Sequence, residues 1–172
     1  MSDLLKVSQN GLVLENVIYQ TEQLCLAAVR QNGHALKFVS NQTVEICKDA
    51  INKNPFAIMH VKEQTYELCL DAIKRKGFGY VLGNIDSIKL DAPEYLDVCL
   101  YAVRDEGMSL KYVNVSKITT NQSYSLICSL AVQQSGYSLQ FIVIDKLNND
   151  YFDICLLAIK NASCTIYYVN QN

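Results

Sequence analysis

The sequence predicts an all-α protein built from helical-hairpin repeats, a solenoid of about six units behind a degenerate N-terminal cap. Three observations carry that expectation. Six of the seven cysteines, at 25, 47, 69, 99, 128 and 155, are separated by 22, 22, 30, 29 and 27 residues, which is a repeat period and not a metal-ligand spacing. Alanine stands three residues after each of them (Ala28, Ala50, Ala72, Ala102, Ala131, Ala158), and Val or Ile directly follows it. Apolar residues at −1, 0, +3 and +4 around each cysteine form a stripe of helical period.

Each unit opens with an amphipathic helix of roughly three turns, from about −4 to +6. Thr21, Thr43 and Thr65 stand where an N-cap belongs, and Ser123 or Asp91 (followed by Pro93 and Glu94) fills that role in later copies. Position +8 is Gly33, Pro55, Gly77, Gly107, Gly136 or Ser163. Glycine there is expected to end the helix in a left-handed conformation, whereas Pro55 ends it by lacking a donor.

The second half of each unit, such as Ala35–Val39, is short, and a second short helix closes the hairpin most simply. Ser-Leu-Lys-Tyr-Val-Asn-Val (109–115) also alternates in the manner of a strand, so an α/β horseshoe with one strand per repeat is the alternative architecture. The chain then divides into a partial capping repeat (1–18), two tight 22-residue repeats (19–64) and four further repeats (65–172), three with inserts, all within a single repeat domain 1–172. The inserts, Asn84–Glu94, Asn114–Ser123 and Val143–Asp150, share an Ile/Val-x-x-Ile/Leu theme and are expected to add a helical turn or an ordered loop.

Composition narrows the function classes. Half of the 172 residues are apolar and 19% are charged, which suits a packed core. A net charge of −2 gives no electrostatic reason to bind nucleic acid. No apolar run approaches a membrane span, and the first residues lack the pattern of a secretory signal. A cytoplasmic setting is expected, where reduced thiols persist.

The ladder cysteines are best explained as packing residues, because equivalent helix positions roughly 8–10 Å apart lie beyond disulfide reach. Cys164, off the ladder, reads the same way. No Cys or His spacing suggests a metal, a cofactor or a catalytic triad. His60 takes a slot held by aromatics in other copies, and His34 follows Gly33 as an exposed or half-buried residue. Gly77-Phe78-Gly79 reads as a turn and not as a phosphate loop.

Two surfaces are candidates for partners. A charged ladder runs through Arg30, Lys74, Arg104 and Lys160 at +5, with acids at −2 in several copies, and reads chiefly as a solvated face. The last unit leaves Leu156, Leu157, Ile166, Tyr167 and Tyr168 with no following unit to cover them, which predicts a homodimer through the C-terminal repeat.

The repeats, in forms such as Thr65-Tyr-Glu-Leu-Cys-Leu-Asp-Ala-Ile73, resemble short helical repeats of a domain family of unknown function from giant viruses of amoebae and protist-associated bacteria. The likeness runs from about residue 11 to 170, with departures at the inserts after Leu82, Val113 and Ile142. It implies an architecture and a viral or host-cytoplasmic setting, and it brings no catalytic residues. The expected function is a non-enzymatic interaction or scaffold protein. The alternatives are a structural component of a virion or assembly and an enzyme with a site at a repeat junction.

Overall fold

The computed structural model describes residues 2–147 and 149–169, and among these every regular element is helical. The strand alternative is therefore disfavoured. The α-helices are α1 (Asp3–Gln9), α2 (Glu22–Gln31), α3 (Val44–Lys53), α4 (Tyr66–Ile73), α5 (Ala92–Asp105), α6 (Asn121–Gln134), α7 (Tyr151–Asn161) and α8 (Ile166–Val169). From α1 to α6 each is followed by a six-residue 3₁₀ segment: Gly11–Asn16, Gly33–Phe38, Pro55–His60, Gly79–Asn84, Gly107–Tyr112 and Gly136–Phe141.

The chain forms two compact units, 1–72 and 73–172. In the first, α1 packs on α2 and α2 on α3, while in the second α5 packs on α6 and α6 on α7. The stripe foreseen in the sequence is the core of both. Cys25, Ala28 and Val29 are buried in the first unit, and Val98, Cys99, Ala102 and Val103 in the second.

The threonine caps form as expected. Thr21, Thr43 and Thr65 accept the backbone N–H groups of Leu24, Ile46 and Leu68 at 3.3–3.4 Å. Asp91 and Glu94 make a reciprocal capping box on α5. Thr120 caps α6, however, and Ser123 donates its N–H to that threonine. The insert lengthens α6 by a turn beyond α2 and moves the cap upstream.

The glycines at +8 work differently from the sequence expectation. The residues that end the helices, among them Asn32, Asn54, Glu106 and Ser135, are extended. Gly77 is the only described residue with a left-handed φ, at +82°. The other glycines are required by a close approach. A Cβ on Gly33 would lie 2.5 Å from the Ala50 carbonyl oxygen, and one on Gly136 2.7 Å from that of Ala158. Alanine at +3 and glycine at the head of the preceding 3₁₀ segment thus form one contact, in which two small residues let the segment and the following helix meet backbone to backbone.

That contact also fixes the register around α4. Gly79, not Gly77, approaches the Ala102 carbonyl and heads its 3₁₀ segment. Two residues have been added before it, so Leu82 and Ile85 match Leu36 and Val39. Leu82 and Gly83 are not the aromatic-slot pair that unbroken counting from Cys69 assigns.

The inserts that follow Asn114 and Val143 each contribute one 3₁₀ turn, Val115–Lys117 and Ile144–Lys146. The insert after Ile85 makes a turn at Asp86–Lys89.

Candidate functional site

Near four of the ladder thiols, Cys25, Cys47, Cys99 and Cys128, stands a polar side chain that ties the helix to the start of the next connection. In the first unit it is a glutamine at −5. Gln42 Oε1 accepts the Lys62 N–H at 2.9 Å and the Cys47 thiol at 3.9 Å. Its Nε2 donates to the Leu36 and His60 carbonyls. Gln20 repeats this with Ser40 N–H, Cys25 and the Phe38 carbonyl. In the second unit a tyrosine at −4 does the same work. Tyr95 and Tyr124 are 1% exposed, and their hydroxyls accept the Asn114 and Val143 N–H groups at 2.7 and 2.9 Å. Each phenol also interacts with the thiol four residues on, Cys99 or Cys128.

These surroundings keep the thiols protonated. Burial pushes Cys99 and Cys128 up to about 12, against a partial opposing effect of the tyrosine hydroxyls. Burial also raises Cys25, Cys47 and Cys155. A raised thiol is a poor nucleophile and a poor metal ligand at neutral pH. Among the described residues, no group of three or more His, Cys, Asp or Glu side chains is placed to hold a metal ion.

A second set of staples comes from the helix ends at +6. Gln31 accepts the Gly11 N–H at 2.8 Å, and Gln134 accepts that of Gly107 at 2.6 Å. In α5 the residue is Asp105, whose carboxylate gathers the N–H groups of Gly77, Phe78 and Gly79 at 2.9–3.0 Å. The Gly-Phe-Gly turn is thus filled by the chain's own carboxylate, which agrees with its reading as a turn.

His34 and His60 meet. His34 Nδ1 lies 3.2 Å from His60 Nε2, the rings are edge to face, and Asn54 Nδ2 is 2.9 Å from His34 Nε2. Asn54 donates to His34, which makes His34 the donor to His60. Burial, then His34 and Lys37, lower the pKa of His60. Both imidazoles are half-buried, and His60 sits in the expected aromatic slot.

The ladder bases are exposed, and Arg30 bridges consecutive helices, with Nε 2.6 Å from Asp49 and Nη2 3.9 Å from Glu45. Lys74 lies over the Tyr101 ring at 5.0 Å. Lys160 lines an open groove of about 490 Å³ with Leu126, Asp150, Asp153, Leu156 and Leu157. In the same C-terminal helices Phe152 is 70%, Ile166 51% and Tyr167 73% exposed, while Leu157 and Tyr168 are half-buried. Cys164 is exposed, with its sulfur 3.0 Å from the Tyr137 hydroxyl.

Tyr95, Tyr124 and Tyr151 stand out in the sequence at −4 as residues of packing or binding, whereas the glutamine and aspartate staples are not foreseen. Gln20, Gln42 and Gln64 recur at a spacing of 22, as do Asn10, Asn32 and Asn54, whose side chains cap the 3₁₀ segments. That periodicity was the available signal.

Comparison with known proteins adds a family likeness over part of the chain. Residues 21–65 are similar to the family described as Domain of unknown function (DUF4116), consistent with an uncharacterised family. No curated protein and no solved structure matches the chain. Among the described residues, no helix is long and apolar enough to cross a membrane.

Proposed function

We propose that the chain is a non-enzymatic interaction or scaffold protein, a helical-repeat solenoid that pairs with a second copy through its C-terminal unit. The observation that carries this reading is the uncovered apolar surface of α7 and α8, formed by Phe152, Leu156, Ile166 and Tyr167. Exposed apolar side chains of this size are favourable to bury against a partner.

Charge favours a second copy as that partner. The groove beside α7 carries Asp150 and Asp153 at the start of the helix and Lys160 near its end. A two-fold, antiparallel contact sets the acidic end of one α7 against the basic end of the other, as a self-complementary interface requires. Light scattering at tens of micromolar should give the mass of a dimer. Leu156→Glu with Tyr167→Asp should give a monomer of unchanged helicity. A monomeric mass for the unsubstituted chain overturns the proposal.

A further inference from the structure

Two clefts in the first unit match residue for residue. One, of about 170 Å³, is lined by Gln20, Glu22, Cys25, Asn41 and Ile46. The other, of about 330 Å³, is lined by Gln42, Val44, Cys47, Glu63 and Leu68. These are the same repeat positions: −5, −3, 0, +16 and −1 of the following copy.

In the second unit the corresponding place is narrower: Tyr95 is buried four residues before Cys99, and the Val115–Lys117 turn leads to Ile118, which shares a cleft wall with Leu96, the counterpart of Val44. The inserts also hold one another, with Asn114 Nδ2 donating to Ser87 Oγ at 2.9 Å and Lys117 Nζ to the Leu90 carbonyl at 3.0 Å. Leu90 and Leu147 are 2% and 8% exposed, whereas Val44, with no insert over it, is 60% exposed. Each insert places a lysine before its apolar residue: Lys89-Leu90, Lys117-Ile118, Lys146-Leu147.

We infer that the Cys47 cleft, and its smaller counterpart at Cys25, receive a short segment of a partner protein bearing an apolar-x-Lys-apolar sequence. The second unit points to the chemistry of the occupant, because there a segment of this kind brings Ile118 beside Leu96, the counterpart of Val44, in cis. Val44, Val61 and Leu68 offer apolar walls, Glu63 or Glu22 lines the cleft as the group to face the lysine, and Lys62, also in the larger cleft, directs its ammonium to the Val39 and Ser40 carbonyls. The segment binds as a 3₁₀ turn whose two apolar side chains enter the groove, while the thiol stays protonated and takes no part in chemistry.

This inference deepens the reading of the chain as an interaction protein, but it uses a surface other than the C-terminal one. The probe is a fluorescein-labelled peptide of the chain's own residues 113–123, titrated into the full chain and followed by anisotropy and by amide chemical shifts. Saturable binding is expected, with shifts confined to residues 40–68 and 20–46. Val44→Glu should weaken it by about 10-fold or more, and so should alanine in the peptide at the positions of Val115 and Ile118. Val44 is exposed and opens α3, where an acid suits the helix N-terminus, so the variant should fold. Three results each overturn the inference: no saturable binding at millimolar peptide, shifts clustered at residues 95–124 through exchange with the native insert, or loss of binding in Leu156→Glu but not in Val44→Glu. A chain that dimerises yet ignores the peptide leaves the proposed function standing and removes the cleft.

Discussion

The two units solve one problem with different side chains. Wherever a 3₁₀ segment gives way to the next connection, a backbone N–H and a buried thiol need a polar partner. In the first unit Gln20 and Gln42 reach in from outside the helix and leave a cleft beside Cys25 and Cys47. In the second, α5 and α6 run to 14 residues against 10 for α2 and α3, and the extra turn carries Tyr95 and Tyr124 over the thiol. A flexible amide satisfies the same groups as a phenol but buries far less apolar area. The shorter helices of the first unit therefore gain economy of length, and the longer helices of the second gain burial.

The largest expected effect tests that contrast directly. Tyr124→Ala should destabilise the chain by about 4 kcal/mol, since it removes a buried ring and orphans the Val143 N–H. Gln42→Ala should cost only about 1–2 kcal/mol, because little apolar area is lost. Urea denaturation of both variants gives the comparison, and equal losses would break it.

Thiol reactivity gives a second, smaller contrast. Cys164 should react with a disulfide reagent within seconds, and Cys25 and Cys47 should follow through local opening. Cys99 and Cys128, at 0% exposure, should react only at the rate of global unfolding. The raised thiols also set an alkaline limit. An unfolded thiol ionises near its ordinary value of about 9, so stability should fall as pH rises from there towards about 12. Mass spectrometry of modified peptides and pH-dependent melting are the respective measurements.

The smallest effect concerns the histidine pair. His60 has a lowered pKa in the folded chain, so below the ordinary value of about 6.5 the unfolded chain takes up the proton more readily. Stability should decline as pH falls from that value through the folded pKa. His60→Phe, which installs the residue found at 38 and 141, should flatten the decline between about pH 6.5 and 5. Melting temperatures across that range would show whether the slope changes.

Much of this organisation is legible in the sequence. The stripe around Cys25 or Cys99 faces inward because a 3.6-residue period admits no other placement, and Thr21, Thr43 and Thr65 cap as their chemistry requires. The glycines are the instructive failure. Their recurrence at +8 signals a steric need, but a sequence cannot distinguish a left-handed backbone from a neighbour pressed against Cα. At Gly33 and Gly136 the reason is the neighbour, and at Gly77 it is the conformation. The two-residue slip before Gly79 is hidden for a similar reason, since only the approach to Ala102 reveals which glycine heads the segment.

The sequence by itself determined the helices and their buried faces, because periodicity and capping act within a few residues of chain. Only the tertiary structure decided which side chain answers each thiol, which cleft stays open and which apolar face is left bare. Those outcomes depend on residues 18–29 positions apart meeting across a packed contact, and local preference carries no information about such meetings.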